Sequence, residues 1–205
     1  KVSPLLPMFT PDLLATAVQR STSSVVNFEG ELFEELFEIY MNDSNSSTLR
    51  EHITAEIAGC DPIAGKLGRD CVDRETKEEK EVKPKNYTSK ASNGSGCFND
   101  YTRLRYLKDI AVDLPIIQSY FVYGKLQYVL EYRFKTIAPV LDKQITKKCE
   151  HDGQKYVRSC SWTYKDYIDD PNLIVHYIDK ELIEGNQAPK QFKIVTPFYK
   201  KLLAL

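Results

Sequence analysis

The sequence predicts an α+β fold in which N-terminal helices pack on an antiparallel β-meander formed by the C-terminal half of the chain. Apolar residues recur at helical spacing in the first part of the chain, and a period of two begins near residue 116. Hydrophobic residues make up 42% of the 205 residues and charged residues 28%, which is typical of a globular protein. We therefore expect one domain, residues 1–205.

Two helices are predicted near the N-terminus. Thr10 is a suitable N-cap and Pro11 fits a first helical position. A second helix begins near Glu29, and five of its apolar residues share one face. They are Leu32, Phe33, Leu36, Phe37 and Tyr40. We interpret this face as facing the core, and the alternative is a dimer or partner interface.

Two further helices are predicted at residues 49–58 and from Asn99 to about Val112, with Asn99 as the N-cap of the second. Four residues of the second helix are expected to share a face. They are Tyr101, Leu104, Leu107 and Ala111. This spacing favours packing of that face against other apolar elements.

A long polar loop insertion is predicted between the two helices, at about residues 60–97. Residues 73–85 alternate acids and bases without an apolar face, and residues 86–96 are rich in Ser, Asn and Gly. Such a segment buries little apolar surface to offset the entropy of ordering its backbone.

The strands of the meander are predicted from alternation. Residues 116–122 and 125–135 form a hairpin around Tyr123-Gly124, because residues 126–134 alternate apolar and polar side chains. Four more strands are expected. They lie at about 144–150, 154–166, 173–179 and 191–196. Asp152-Gly153 has the composition of a two-residue hairpin turn.

Four of the eight asparagines lie in Asn-x-Ser/Thr sequons, namely Asn42, Asn45, Asn86 and Asn93. Chance predicts about one, so we expect glycosylation at exposed sites of this kind. Asn42 and Asn45 are too close together for both to be modified efficiently. The alternative is that Ser- and Thr-rich loops create sequons incidentally.

The five cysteines include two pairs with the same spacing of eleven residues, Cys60 with Cys71 and Cys149 with Cys160. We predict two local disulfides, although the Asp152-Gly153 turn competes with the second. Cys97 could instead pair with Cys60 or Cys71, bond to another chain or remain a free thiol, so the connectivity stays open.

Disulfides persist in oxidising compartments. The expected location is therefore extracellular, at the cell surface or in an organelle lumen, or periplasmic in a bacterium. The chain begins at Lys1 and has no signal-like segment, which we interpret as a processed chain or an excised ectodomain. A membrane anchor would lie outside this sequence.

No catalytic residue, cofactor or metal site is predicted. The chain has no Gly-x-Ser-x-Gly elbow, phosphate-binding glycine loop, His-Glu-x-x-His motif or dinucleotide fingerprint. The histidines His52, His151 and His176 are scattered, which is typical of structural or exposed residues. Residues 169–172 read as a turn, with calcium binding as the weaker alternative.

The charge balance argues against a nucleic-acid partner, since 28 basic residues stand against 29 acidic ones. We predict a non-catalytic secreted protein or membrane-protein ectodomain that binds a protein partner in recognition, adhesion or a receptor-type role. The element order is similar to extracytoplasmic sensor domains with a PAS-like sheet. That resemblance implies the alternative of a small-molecule ligand, and a secreted hydrolase is the third alternative.

Overall fold

The computed structural model describes residues 40, 47–63, 68–86, 94–122, 124–181 and 196–205. The described helices are α1 (Thr48–Ile57), α2 (Arg103–Val112), α3 (Phe134–Ile145) and α4 (Thr196–Ala204). The described strands are β1 (Cys60–Pro62), β2 (Cys71–Asp73), β3 (Glu79–Asn86), β4 (Gly96–Tyr101), β5 (Pro115–Val122), β6 (Lys125–Arg133), β7 (Val157–Trp162) and β8 (Ile174–Ile178). A π-helical turn (Thr146–His151) extends α3, and a 3₁₀ turn (Tyr164–Asp166) follows β7.

Six strands form a mixed sheet with the order β1-β2-β3-β5-β6-β8. Neighbouring strands are antiparallel, except that β3 and β5 are parallel. A parallel pair needs a crossover connection, and the chain between β3 and β5 provides it through β4 and α2. The strands β4 and β7 form a separate antiparallel pair. The fold is therefore a mixed α/β arrangement, and the predicted antiparallel meander matches it only in part.

Both faces of the central strands β5 and β6 are buried. Consecutive residues of β5 point to opposite faces, so that Ile116 belongs to one apolar core and Ile117 to another. The larger core is rich in aromatic residues and includes side chains of α2, α3, β4 and β7. The smaller core joins α1 to β1, β2 and β3. The sheet thus lies between α1 on one face and α2 and α3 on the other.

Two predicted elements are confirmed closely. The helix expected at 49–58 is α1, and the expected hairpin is the antiparallel pair β5 and β6. Gly124 in the connecting turn has φ of 76°, a left-handed conformation that glycine adopts readily. The strands expected at 154–166 and 173–179 correspond to the shorter β7 and β8.

The predicted helix 99–112 is present as α2, but its start and its buried face were wrong. Thr102 is the N-cap and its side chain accepts a hydrogen bond of 3.1 Å from the Arg105 N–H. Leu104 and Leu107 are 65% and 53% exposed, whereas Asp109 is 1% exposed. A buried carboxylate compensated by cations cannot be recognised from apolar periodicity.

The segment expected to be a long polar loop at about 60–97 contains three strands of the large sheet instead. Within it, residues 60–62, 71–73 and 79–86 form β1, β2 and β3 of the large sheet. Acids and bases of β3 are buried in ion pairs, for example Lys80 with Glu131. Cys60, Cys71 and Val82 are buried in the smaller core, and pairing compensates the charges that are buried with them.

The strand expected at 144–150 is helical, because α3 runs to Ile145 and the π-helical turn follows it. The Asp152-Gly153 hairpin was also wrong, since β7 pairs with β4. Of the two predicted N-terminal helices, only Tyr40 is described; it is helical and 46% exposed, so the structure does not place it in the core. Most of the expected strand 191–196 also lies outside the described residues. Among the helices that the structure describes, none has the length and apolar character needed to cross a membrane.

Candidate active site

Asp70 is held rigidly by backbone hydrogen bonds immediately before β2. Its N–H donates to the Lys80 carbonyl at 3.1 Å, and its carbonyl accepts from the Ile63 N–H at 2.9 Å. Its side-chain Oδ2 accepts a hydrogen bond of 2.7 Å from the Val82 N–H. These contacts fix the Asp70 carboxylate beside the middle of β3.

Glu81 and Lys83 lie on β3 and point to the same face of the sheet, because side chains two residues apart in a strand share a face. They align with Ile116 and Gln118 of β5, on the side of the larger core. The ammonium of Lys83 donates a hydrogen bond to the Glu81 carboxylate and lies 3.9 Å from Asp70 Oδ2. Two carboxylates and one ammonium therefore meet at the junction of β2 and β3.

Asp70 and Glu81 are neighbouring carboxylates in largely buried surroundings. Burial raises the pKa of Asp70, and the neighbouring charge of Glu81 raises it further. Glu81 is buried, and its Oε2 accepts no hydrogen bond from the described part of the chain. The nearby cation Arg69 has its Nη1 3.8 Å from this oxygen. A divalent cation would relieve the repulsion between the two carboxylates and use the free oxygen.

The donors suit magnesium better than zinc or calcium. Within the described residues, no group of three or more His, Cys, Asp or Glu side chains is arranged to hold a metal. Mg²⁺ is commonly held by one or two carboxylates and completes its shell with water and substrate phosphate. Asp70 and Glu81 meet that requirement, and we assign no further ligand.

A basic cleft of about 580 Å³ adjoins these residues. It is lined by Ile63, Gly68, Arg69, Glu79, Arg105, Lys108 and Asp109. Arg105 connects the cleft to the carboxylates, because its Nη2 donates to Glu81 Oε1 at 3.3 Å. The cations of the cleft provide a setting for a negatively charged ligand.

A second charged cluster lies on the opposite face of the sheet and is fully paired. Lys80 donates to both oxygens of Glu131 at 3.0 Å and forms an ion pair of 2.8 Å with Asp73. His176 Nε2 lies 2.8 Å from Glu131 Oε2. Because the network satisfies its own charges across four strands, we interpret it as structural.

All five cysteines are described, and each is present as a thiol. Cys60 and Cys71 are buried, and the interaction between their thiols lowers the pKa of Cys60 and raises that of Cys71. Burial raises the pKa of Cys160 to about 12, with smaller contributions from Cys149 and Cys97. Disulfide formation by either pair stays a prediction.

The sequons are only partly described. Asn86 is buried at the end of β3, where an attached glycan would have no room in this fold. Asn42, Asn45 and Asn93 lie outside the described residues, so their glycosylation stays a prediction.

The remaining predicted features have structural roles. The Asp169 carboxylate pairs with Lys201, and Asp170 accepts a hydrogen bond of 2.8 Å from the Asn172 N–H. These contacts stabilise the expected turn. His52 and His151 are exposed.

Sequence reasoning missed Asp70, Glu81 and Lys83. The signal was Glu81-Val82-Lys83, in which an acid and a base alternate on one face of a strand, with Asp70 eleven residues earlier. It was hidden because the segment was interpreted as a solvated loop. Neither models of known protein families nor curated protein sequences yield a match to this chain.

Proposed function

We propose that the protein is a Mg²⁺-dependent phosphodiesterase that acts on nucleic acid. The observation that carries this proposal is the convergence of Asp70, Glu81 and Lys83 beside the basic cleft. Of the functions that the sequence left open, hydrolysis is the one that this geometry supports best, although no catalytic residue was expected.

Asp70 and Glu81 would hold the cation. When bound, Mg²⁺ supplies positive charge to phosphoryl oxygens and lowers the pKa of a coordinated water. Asp70 is suited to this role because its backbone is fixed by β1 and β3, so the carboxylate needs little reorganisation. The pKa of Asp70 is raised first by burial and then by the charge of Glu81, and a bound cation would offset both effects.

Lys83 would orient the attacking water and stabilise charge on the phosphoryl group. Its ammonium contacts Glu81, lies 3.4 Å from the Val82 carbonyl and faces Asp70. An ammonium has three donors, so Lys83 can keep its contact with Glu81 while donating to a water or phosphoryl oxygen. A fixed cation of this kind stabilises a transition state that gains negative charge.

A nucleic-acid substrate fits the local charge. The net charge of −1 describes the whole chain and led to the expectation of no nucleic-acid partner. Locally, Arg69, Lys83, Arg105 and Lys108 gather at or beside the carboxylates. Three of these cations line the cleft and Lys83 lies beside it, so a phosphate backbone can find cationic contacts there even though the whole chain is balanced in charge.

Cleavage of nucleic acid by the purified chain tests the proposal. The protein is incubated with plasmid DNA, single-stranded DNA or RNA in the presence of Mg²⁺ or EDTA. Hydrolysis of bis(p-nitrophenyl) phosphate, compared with that of p-nitrophenyl phosphate, distinguishes diester from monoester hydrolysis. We expect cleavage of diesters with Mg²⁺ only. Asp70→Asn and Glu81→Gln should each lower the rate by about 10²-fold or more.

Glu75→Gln is the matched control, because Glu75 is an exposed carboxylate in the turn between β2 and β3. It should cut at the wild-type rate. Wild-type protein that leaves all the substrates intact, or a Glu81→Gln protein as active as wild type, would contradict the proposal.

A second candidate function is recognition of a protein partner, as the sequence led us to expect. It is favoured by an apolar stripe on α2, where Leu104, Leu107 and Val112 are 65%, 53% and 61% exposed. Exposed apolar side chains grouped on one helix are typical of an interface. A second copy of the chain is the simplest partner, because a two-fold axis would pair the stripe with itself.

Sedimentation equilibrium tests this second candidate. We expect a dimer that the double variant Leu104→Lys, Leu107→Lys converts to a monomer without loss of helicity. A wild-type protein that remains monomeric at all measurable concentrations would refute self-association through α2.

A further inference from the structure

We propose that Arg69 and Arg105 together bind one phosphate of the nucleic-acid substrate beside the cleavage site, and that Asp109 is the residue that positions both guanidinium groups. This inference rests on the proposed phosphodiesterase function and names a second contact of the same site. It concerns residues that need not touch the metal or the scissile bond.

Asp109 is the centre of the arrangement. It lies on α2, and its carboxylate is 1% exposed. Arg69 Nη2 donates to Oδ1 at 2.7 Å, and Arg105 Nε lies 3.7 Å from Oδ2. Tyr101 donates its hydroxyl hydrogen to Oδ2 at 2.5 Å. A buried carboxylate needs such partners, so Asp109 fixes Arg69 by a hydrogen bond and attracts Arg105 at ion-pair distance.

Arg105 is fixed from two further directions. Its guanidinium carbon lies 5.1 Å from the ring centre of Phe98 and 5.4 Å from that of Tyr101. Its Nη2 also donates to Glu81. The side chain nevertheless remains 39% exposed, so its outer face is available to a ligand. A planar guanidinium held by aromatic rings is well suited to phosphate, because it presents paired donors in a rigid fork.

The cleft beside these arginines has room for a phosphate. Arg69 and Arg105 both line it, and Lys108 adds a third cation. At Gly68, a side chain built onto the backbone would meet no heavy atom within 4 Å. The backbone next to Arg69 therefore borders open space on the side where the cleft lies.

The charge balance couples this site to the metal. Arg69, Lys83 and Arg105 stand against Asp70, Glu81 and Asp109, so the group is neutral without a cation. A bound Mg²⁺ would make the group doubly positive, and binding of a phosphate would then be favoured. We therefore expect that metal and oligonucleotide each raise the affinity for the other.

Fluorescence anisotropy with a fluorescein-labelled single-stranded oligonucleotide tests the inference. All proteins carry Lys83→Met so that the oligonucleotide stays intact in Mg²⁺. Arg69→Gln and Arg105→Gln should each weaken binding about ten-fold, the loss expected for a hydrogen bond between charged groups. Each should also reduce the slope of log affinity against log salt by about 0.7.

Asp109→Asn distinguishes the positioning of Arg69 and Arg105 by Asp109 from the effect of its negative charge on the cleft. Removing a carboxylate makes the cleft more positive, which by itself would strengthen binding. We expect weaker binding instead, because Arg69 and Arg105 lose their common partner. The matched control Asp100→Asn, at an exposed carboxylate of β4, should leave binding unchanged. Tighter binding by Asp109→Asn would overturn its positioning role.

Arg105→Lys tests the phosphate site even if Asp109→Asn fails to fold. It retains the charge but loses the planar fork, and we expect several-fold weaker binding. The phosphate site would be overturned if oligonucleotide binding were unchanged in Arg69→Gln, Arg105→Gln and Arg105→Lys, even if the wild-type protein cleaves nucleic acid. Failure of cleavage by the wild-type protein would instead remove the proposed function itself.

Competition identifies the source of the phosphate. Millimolar inorganic phosphate should displace little oligonucleotide, because a nucleic-acid backbone makes contacts beyond a single phosphate. Complete displacement by inorganic phosphate would overturn the assignment to nucleic acid and indicate a site for free phosphate.

Discussion

Replacing Lys80 with Met should destabilise the fold strongly, because Lys80 is the only ammonium bonded to Glu131 among the described residues. Lys80 is 5% exposed and Glu131 is 3% exposed. Lys80 donates to both Glu131 oxygens at 3.0 Å and pairs with Asp73 at 2.8 Å. Removing one member of a buried pair costs about 3–5 kcal/mol, since the other charge stays buried.

Urea unfolding followed by tryptophan fluorescence measures this loss. Trp162 is the one tryptophan of the chain and is buried, so its emission reports on the core. For a chain of this size, about 1 kcal/mol corresponds to roughly 2–4 °C, so the midpoint of thermal unfolding should fall by on the order of 10 °C. Lys125→Met, at an exposed lysine of β6, is the matched control.

The double variant Lys80→Met, Glu131→Met tests the physical reason. Replacing both members of a buried ion pair by apolar residues is often neutral. We therefore expect the double variant to recover most of the stability lost by Lys80→Met. A single variant that loses less than about 1 kcal/mol, or a double variant that is no more stable than the single one, would refute the reasoning.

Burial disfavours the charged form of Glu131, but hydrogen bonds from His176 and Lys80 outweigh burial and lower its pKa. The contribution of Glu131 to stability should therefore be complete above about pH 4.3 and should be lost as the pH falls through the lower pKa of the folded state. Urea unfolding from pH 6 to pH 2 measures this loss. The pKa of Asp70 is raised, so its ionised form destabilises the folded state at pH 7. Asp70→Asn should therefore raise the midpoint of thermal unfolding at pH 7 and abolish any stabilisation by Mg²⁺. A lowered midpoint would contradict this. Gly96→Ala should cost about 1–3 kcal/mol, because its Cβ would lie 2.1 Å from Trp162 Cζ2; unchanged unfolding and tryptophan emission would contradict this.

The elements that sequence periodicity predicts well are those stabilised by apolar burial. In β6 apolar and polar side chains alternate except at Val129, and in β5 every residue but Gln118 and Ser119 is apolar. These patterns identify the hairpin, because one or both faces of each strand must enter a core. The predicted face of α2 failed for the converse reason, since Asp109 faces inwards and Leu104 outwards.

The candidate site could not be predicted because it depends on pairing between distant charges. Glu81 is compensated by Arg69 and Arg105, which lie on different elements. Its position relative to Asp70 depends on the register of β2 and β3, which local sequence does not specify. The cysteine spacing was more informative, because Cys60 and Cys71 do come into contact.

The alternation of β3 has a consequence for how the chain tolerates insertions and deletions. Lys80 faces the buried ion network, and its neighbour Glu81 faces the opposite side, towards Asp70 and Lys83. A shift of one residue along β3 would exchange the two faces, since the side-chain period of a strand is two. It would place Glu81 against Glu131 and remove the carboxylate from its site. A one-residue insertion or deletion within β3 therefore damages the folded state and the chemistry in one step, whereas changes of length in the exposed turn at residues 74–77 leave that alternation intact.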